Sequence, residues 1–144
     1  ICEKLNPEQI PGRLTLITRF GAETIEEHFP PLLEAVTKSG HPVVWACDPM
    51  HGNTYTAASG RKTRHLNAIM SELSSFFDVH QRAGTWAGGI HIELTGADVT
   101  ECLGGAEELT DDDLSARYET MCDPRLNATQ SLDLAFLVAE RLGG

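Results

Sequence analysis

Three short segments of the chain are apolar, or alternate between apolar and β-branched residues. They span residues 14–19, 42–47 and 90–94. Strands favour β-branched and aromatic residues, and a parallel strand that is buried on both faces is almost continuously apolar. The pattern therefore predicts three strands, and the second of them is the most apolar.

Between and after these segments, apolar residues recur at helical spacing, which predicts helices at about 30–39, 63–82 and 129–142. Pro30 and Pro31 favour a helix start, because proline is tolerated in the first turn of a helix. The residues expected to face inward on the middle helix are Leu66, Ile69, Met70, Leu73, Phe76, Phe77 and His80. Those expected to face inward on the last helix are Leu132, Ala135, Phe136, Val138 and Ala139.

The predicted strands and helices alternate along the chain, which is typical of an α/β fold with a parallel sheet and crossover helices. An open parallel sheet of three strands would leave two unpaired edges. A closed (β/α)8 TIM barrel takes about 250 residues. We therefore interpret residues 1–144 as the C-terminal portion of a single TIM-barrel catalytic domain, contributing about three β/α units. The first residue is Ile, so we expect the N-terminal portion to be absent.

Composition excludes two classes of partner. Lys and Arg number 11 against 21 Asp and Glu, a formal net charge of -10. An acidic chain lacks the basic face that nucleic acids and anionic membranes require. No apolar run approaches the length of about 20 residues that a membrane span needs. The four cysteines are irregularly spaced and are expected to be free thiols.

Candidate metal ligands follow or end the predicted strands. His51 comes directly after the second strand, and His91 and Glu93 share one face of the third because side chains alternate. Glu93 is nearer the carboxyl end, so it is the better ligand and His91 the better supporting residue. Asp123 precedes a proline. Imidazole and carboxylate ligands together suit a divalent ion.

Each of these residues also has an ordinary structural explanation. His51 is equally consistent with a structural hydrogen bond, and Glu93 with an ion pair to a lysine or arginine. Asp123 before Pro124 is a common way to start a turn. Asp111 to Asp113 follows Thr110 in a capping box, which indicates a helix start rather than a metal site.

Two groups of basic residues are candidates for binding anions. Arg19 ends the first strand, where a guanidinium in a barrel would face the active-site mouth and suit a phosphate or carboxylate. The segment from Arg61 to Arg64 carries three positive charges before a helix start, a combination that favours phosphate. The alternatives are a solvated arginine and a solvated basic loop.

Several stretches of the chain together resemble the class II (plant-type) 3-deoxy-D-arabino-heptulosonate 7-phosphate (DAHP) synthases. They are PGRLTLITRFGA, CDPMHGNT, GRKTR, GGIHIELTG, VTECLGG, RYETMCDPRLNA and QSLDLAFLVAERL. These stretches are long and specific, cover nearly the whole chain, and are similar to the C-terminal part of that family.

The resemblance implies a (β/α)8 barrel that condenses phosphoenolpyruvate with erythrose 4-phosphate to DAHP and phosphate, the first step of the shikimate pathway. It implies a divalent metal, Mn or Co, with Zn or Fe as alternatives. By motif position, His51, Glu93 and Asp123 fall on three metal ligands of the family. Arg19 falls on an arginine that binds phosphoenolpyruvate, so the implied catalytic residues are Arg19, His51 and Glu93. A fourth ligand, a cysteine, comes from the family's N-terminal region, and Cys2 is not its equivalent.

The resemblance also sets expectations for partners. They are the two substrates, the missing N-terminal portion of the same protein and further copies in a homo-oligomer, with no nucleic acid and no membrane. The location expected is the cytoplasm, or the plastid of a plant. The metal would polarise the aldehyde of erythrose 4-phosphate while Arg19 holds one anionic end of phosphoenolpyruvate.

Two other functions stay open. The chain is also consistent with a non-catalytic fragment or truncated paralogue that folds on a partner or associates with itself through strand edges. A metal-dependent hydrolase on a similar barrel is the weaker alternative, and it would turn over without erythrose 4-phosphate. If the chain is part of a synthase, we expect the isolated residues to be inactive.

Overall fold

The computed structural model describes residues 1–143 as a mixed α/β fold around a small parallel sheet. The elements are α1 (Cys2–Leu5), β1 (Thr15–Thr18), α2 (Ile25–Ser39), β2 (Val44–Cys47), β3 (Tyr55–Thr56), β4 (Lys62–Thr63), α3 (Leu66–Ala83), β5 (Gly89–Ile90) and α4 (Ala128–Arg141). Two 3-10 helices lie at His51–Asn53 and Asp111–Ser115.

The sheet has the strand order β1, β2, β5, and both pairings are parallel. Thr15 lies opposite Val44, and Cys47 lies opposite Ile90. The predicted parallel sheet with crossover helices is therefore confirmed. The carboxyl ends of all three strands lie at one edge, which is where parallel α/β sheets carry their sites.

The third strand is much shorter than the predicted 90–94. Only Gly89 and Ile90 pair with β2, because the chain then turns towards a new neighbour. Leu94 forms a parallel bridge with Leu126, and its side chain is 54% exposed. This change of partner shortens β5 and brings the segment around residue 126 alongside the sheet.

Helix α2 begins at Ile25, so the predicted start at Pro30 is wrong. Pro30 and Pro31 lie inside the helix, where each lacks the N–H that would bond to the preceding turn. The first turn forms nevertheless, because Ile25 and Phe29 are completely buried in the core. Burial of two large apolar side chains, worth about 1.5–3 kcal/mol each, offsets the lost hydrogen bonds.

Helix α3 carries the predicted apolar stripe to the core. Its buried residues are Leu66, Ile69, Glu72, Leu73, Phe76, Val79 and His80. The ring of His80 packs edge-on against Phe76, with 4.6 Å between ring centroids, and also contacts Trp45 and Phe29. Burial among these rings lowers the pKa of His80 to about 4, so the imidazole is neutral.

The inward face predicted for the last helix is wrong for most of its residues. Leu132 and Phe136 are 59% and 67% exposed, and Ala135 and Ala139 are exposed as well. The buried positions of α4 are Gln130 and Leu134, with Leu137 and Val138 packed against the core. Both sides of α4 are apolar, so helical spacing alone does not distinguish the core side.

The connections differ from expectation in one place. Between β2 and α3, where the sequence predicts no strand, the chain forms the two-stranded antiparallel hairpin of β3 and β4. The capping box of Thr110 and Asp113 is confirmed, although the helix it opens is a short 3-10 helix.

All four cysteines are free thiols, as predicted. Within residues 1–143, no helix combines the length and apolar character needed to cross a membrane.

Candidate metal centre

Three side chains from distant parts of the chain meet at the carboxyl edge of the sheet. His51, Glu93 and Asp123 each present one ligand atom, and these atoms all lie within 4.8 Å of one another. The side chains of His51, Glu93 and Asp123 are 30%, 27% and 21% exposed. Each is therefore accessible from solvent although most of its surface is packed against the protein. The fold thus gathers the three residues that the sequence singled out.

His51 is held in one orientation by a buried carboxylate. It begins the 3-10 helix directly after β2, and its Nδ1 lies 2.8 Å from Oδ2 of Asp48. A carboxylate accepts, so Nδ1 carries the proton and donates. The opposite nitrogen, Nε2, points towards Glu93, with 3.6 Å to Oε1. The free nitrogen of His51 is therefore the one that faces the centre.

Asp48 also anchors Arg19, which makes it the junction between two site residues. Nε of Arg19 donates to Oδ2 of Asp48 at 2.6 Å, while the Asp48 side chain is completely buried. Burial favours a raised pKa for Asp48, but hydrogen bonds from His51 and from the backbone of Met50 lower the pKa below its usual value. Asp48 is therefore ionised, a role that no sequence pattern indicates.

Glu93 and Asp123 are brought together by backbone pairing. The N–H of Leu126 donates to the carbonyl of Glu93 at 3.0 Å, and the N–H of Thr95 donates to the carbonyl of Leu126 at 2.9 Å. This short parallel ladder fixes the segment after Asp123 beside the end of the third strand. The parallel bridge of Leu94 and Leu126 is thus the feature that completes the cluster.

The basic segment before α3 leaves two of its three charges, Arg61 and Lys62, accessible to an anion. Arg64 is completely buried, and its guanidinium donates to protein groups, including Glu93. Lys62 donates to Asp123 at 3.1 Å, and Arg61 stacks over the ring of Tyr118. The phosphate prediction is wrong for Arg64, because a side chain without exposure cannot reach a substrate. The pair of Lys62 and Asp123 lowers the pKa of Asp123.

His91 does not provide the support that the sequence suggested for it. Its side chain is exposed, and its ring centroid lies 6.4 Å from that of His51. The acceptor that orients His51 is Asp48 instead. Asp48 lies on the same strand end as His51, three residues earlier, and that proximity was the available signal.

The loops that carry Arg19 and His51 are locked to each other. The buried carboxylate of Glu72 accepts from the N–H of Phe20 at 2.9 Å and from Nδ2 of Asn53 at 2.8 Å. A Cβ on Gly52 would lie 2.5 Å from the backbone nitrogen of Gly21, so only glycine allows this approach. Burial raises the pKa of Glu72, and the backbone donors partly counteract that rise.

A second buried carboxylate shapes the loop that carries Asp123. Glu101 accepts from the N–H groups of Thr120 and Arg125, each at 2.8 Å. It also accepts from Nη2 of Arg125 at 2.7 Å. Burial favours a raised pKa for Glu101, but these donors lower the pKa below its usual value. The Asp123 loop is therefore fixed from beneath by an ionised carboxylate.

We expect the substitution Glu101→Gln to destabilise the protein. Glutamine replaces one acceptor oxygen with a donor amide, so at least one buried donor of the loop loses its partner. An unsatisfied buried group costs about 1–3 kcal/mol, and more where a charge is involved. Urea unfolding should show a loss of that size. The matched control is Glu119→Gln, which breaks an exposed ion pair with Arg117. Equal unfolding midpoints for the two variants would contradict this role of Glu101.

The donor set suits a divalent cation. One imidazole nitrogen and two carboxylate oxygens form a mixed set that is compatible with Mn, Fe, Co and Zn. The Nδ1 of His51 is already held by a carboxylate, as is usual for metal-binding histidines. The residues present at the centre, His51, Glu93 and Asp123, therefore fit one ion, with room for further ligands on the exposed side.

Comparison with known proteins identifies the family of the chain. The model of the class-II DAHP synthetase family matches residues 1–139. The chain belongs to the class-II DAHP synthetase family. The resemblance inferred from the motifs is thereby confirmed, and the match covers the segments that carry all three clustered residues.

Three relatives are named phospho-2-dehydro-3-deoxyheptonate aldolase. One, from Mycolicibacterium smegmatis and named AroG, is 57% identical over 140 residues, 97% of this chain and 30% of the relative. Another, from Streptomyces coelicolor, is 62% identical over 138 residues, 96% of this chain and 31% of the relative. A third, from Streptomyces lividans, is 58% identical over 140 residues, 96% of this chain and 94% of the relative. The chain thus spans under a third of the length of the first two relatives.

Proposed function

We propose that this chain supplies most of the metal site and part of the phosphoenolpyruvate site of a DAHP synthase. The reaction joins phosphoenolpyruvate to erythrose 4-phosphate and releases phosphate. The observation that carries the proposal is the convergence of His51, Glu93 and Asp123 within 4.8 Å in a member of this family. The names of the relatives support the same activity.

We propose further that the chain is the C-terminal portion of a (β/α)8 barrel. The parallel order β1, β2, β5 continues through the bridge of Leu94 and Leu126, as successive barrel strands would. β1 lies at the edge of this sheet, where a further strand could pair, and Ile17 in β1 is 51% exposed, so one face of β1 is open to cover from other parts of a barrel. The remaining strands and the remaining metal ligand would come from an upstream portion of the same protein.

The residues of this chain have separate tasks in this proposal. His51, Glu93 and Asp123 would hold a divalent metal, for which Mn and Co are our first candidates. A metal in that position supplies Lewis acidity towards the aldehyde oxygen of erythrose 4-phosphate.

Arg19 is suited to hold an anionic group of phosphoenolpyruvate. Its Nε is engaged with Asp48, and 53% of its side chain is exposed, so the terminal amino groups can make a bidentate contact. Arg19 and His51 share the Asp48 carboxylate, which fixes the distance between the bound anion and the metal ligand. Fixed orientation of two reactants accounts for a large part of many enzymatic accelerations.

The proposal is tested with a fusion protein in which this chain replaces the matching segment of the Mycolicibacterium smegmatis relative. We expect phosphoenolpyruvate consumption and phosphate release only when erythrose 4-phosphate and Mn(II) are both present. A chelator should abolish turnover, and added Mn(II) should restore it. The chain of residues 1–144 alone should show no turnover.

The His51→Ala fusion protein is the control that activity arises from this chain, and it should be inactive. Phosphate release without erythrose 4-phosphate would favour the hydrolase alternative. A folded fusion protein that binds Mn(II) but never turns over would favour the non-catalytic alternative.

A further inference from the structure

Arg64 is the largest completely buried side chain within residues 1–143, and it contacts Glu93 of the metal centre. It sits between β4 and α3, where its carbonyl accepts from the N–H of Leu103 at 2.8 Å. The neighbouring Thr63 hydroxyl donates to the carbonyl of Glu101 at 2.9 Å. The backbone of Arg64 is therefore fixed before its guanidinium makes any contact.

The guanidinium reaches all three segments that carry the proposed ligands. Nε donates to Oγ1 of Thr54 at 2.7 Å, three residues after His51. Nη1 donates to Oε2 of Glu93 at 2.5 Å and also to the carbonyl of Pro124, which follows Asp123. One rigid planar group thus connects the loop after β2, the end of the third strand and the Asp123 turn.

We propose that Arg64 is the positioning residue of the metal centre, holding the three ligand segments at one spacing and selecting the Glu93 oxygen that binds. This inference rests on the proposed function. Because Oε2 of Glu93 is taken by Arg64, Oε1 is the oxygen left for a cation, and Oε1 is the one that faces Nε2 of His51. Glu93 would therefore offer one oxygen to a cation.

Stability alone does not account for this arginine. Burying a guanidinium is costly, and a buried ion pair is often no more stable than an apolar replacement. Nη2 of Arg64 is buried with no hydrogen-bond partner among residues 1–143, which adds to the cost. Lysine could neutralise Glu93 equally well, but its donors lie on one nitrogen, whereas the planar guanidinium reaches Thr54 through Nε and both Glu93 and Pro124 through Nη1. The contacts of Arg64 with the three ligand segments therefore explain why a buried arginine is found here.

The test compares Arg64→Lys and Thr54→Val in the fusion protein, with Mn(II) affinity measured by calorimetry at 25 °C. Arg64→Lys keeps the charge but loses the fork, and we expect about a 10- to 100-fold weaker affinity, the range typical of groups behind metal ligands. Thr54→Val removes one acceptor of Arg64 and the bond that the Thr54 hydroxyl donates to the Met50 carbonyl, on a partly exposed side chain. It should fold normally and weaken Mn(II) binding by about threefold to tenfold.

Destabilisation is separated from loss of positioning by Leu33→Ala, a core substitution on α2 away from the centre. A buried Leu→Ala change costs about 2–5 kcal/mol. Leu33→Ala should therefore lower Tm, yet leave Mn(II) affinity unchanged while the protein is folded. The KM for phosphoenolpyruvate should stay the same in Arg64→Lys, because Arg19 is anchored by Asp48 instead.

Three outcomes separate a failure of this inference from a failure of the proposed function. Unchanged Mn(II) affinity in both Arg64→Lys and Thr54→Val would overturn the inference and leave the proposed function intact. Equal loss of affinity in Leu33→Ala would also overturn it, because any loss of stability would then suffice. If the unsubstituted fusion protein binds no Mn(II), the metal centre and this inference fail together.

Discussion

Glu93→Gln in the fusion protein should abolish Mn(II) binding and synthase turnover, and it should also lower Tm because the buried Arg64 loses its carboxylate partner. Glutamine has the shape of glutamate, and its carbonyl oxygen can still accept from Nη1 of Arg64. It lacks the negative charge that makes a carboxylate a stronger ligand for a divalent cation than an amide oxygen. Substitutions behind the ligands cost about 10- to 100-fold in metal affinity, so loss of a ligand should exceed about 100-fold.

Calorimetry with Mn(II), a turnover assay and thermal unfolding together check this expectation. Tm without added metal should fall, so Mn(II) binding is measured at a temperature where thermal unfolding shows the variant to be folded. The control is Glu140→Gln, an exposed residue near the end of α4, which should match the unsubstituted protein in every measurement. Mn(II) affinity within threefold of the control would remove Glu93 from the centre and leave the proposed reaction without its main support.

The candidate ligands were predictable because their signal is local. His51 follows a strand that is nearly all apolar, and Glu93 alternates with apolar neighbours, so both positions could be located from short windows of sequence. The carboxyl ends of neighbouring parallel strands meet at one edge. Their convergence therefore followed from the predicted sheet, whereas Asp123 depended on the family motif, because a turn explains its local sequence equally well.

The charges beneath the site were not predictable, because their partners are distant in sequence. Arg64 pairs with Glu93, and Glu101 pairs with Arg125, contacts that span 29 and 24 residues. A basic segment before a helix is usually solvated, so pattern alone placed Arg64 at the surface. Burial of a charge depends on whether an opposite charge meets it in the folded chain.

Errors in the helices have the same origin. Pro30 and Pro31 predict a helix start from local preference, but burial of Ile25 and Phe29 extends the helix towards its N-terminus by more than a turn. The early start of α2 follows from tertiary packing, which outweighs local propensity where the buried apolar area is large. On α4, where both sides are apolar, packing against α3 selects the side that contains Leu134.

Asp48→Ala should weaken both halves of the proposed site at once. Asp48 holds Nδ1 of His51 and Nε of Arg19, so its removal frees the metal ligand and the anion-binding arginine together. Mn(II) affinity should fall by about 10- to 100-fold, as expected for the carboxylate behind a histidine ligand. The KM for phosphoenolpyruvate should also rise, which no substitution confined to the metal ligands would cause.

The comparison of Asp48→Ala with Asp48→Asn separates the two functions of this carboxylate. Asparagine keeps the size and one acceptor oxygen, so it can still serve either His51 or Arg19, but it lacks the charge that holds both. We therefore expect Asp48→Asn to lose less Mn(II) affinity than Asp48→Ala, with a rise in KM for phosphoenolpyruvate in both. If Asp48→Ala weakened Mn(II) binding without altering that KM, Arg19 would not depend on Asp48. Asp48 would then orient His51 alone.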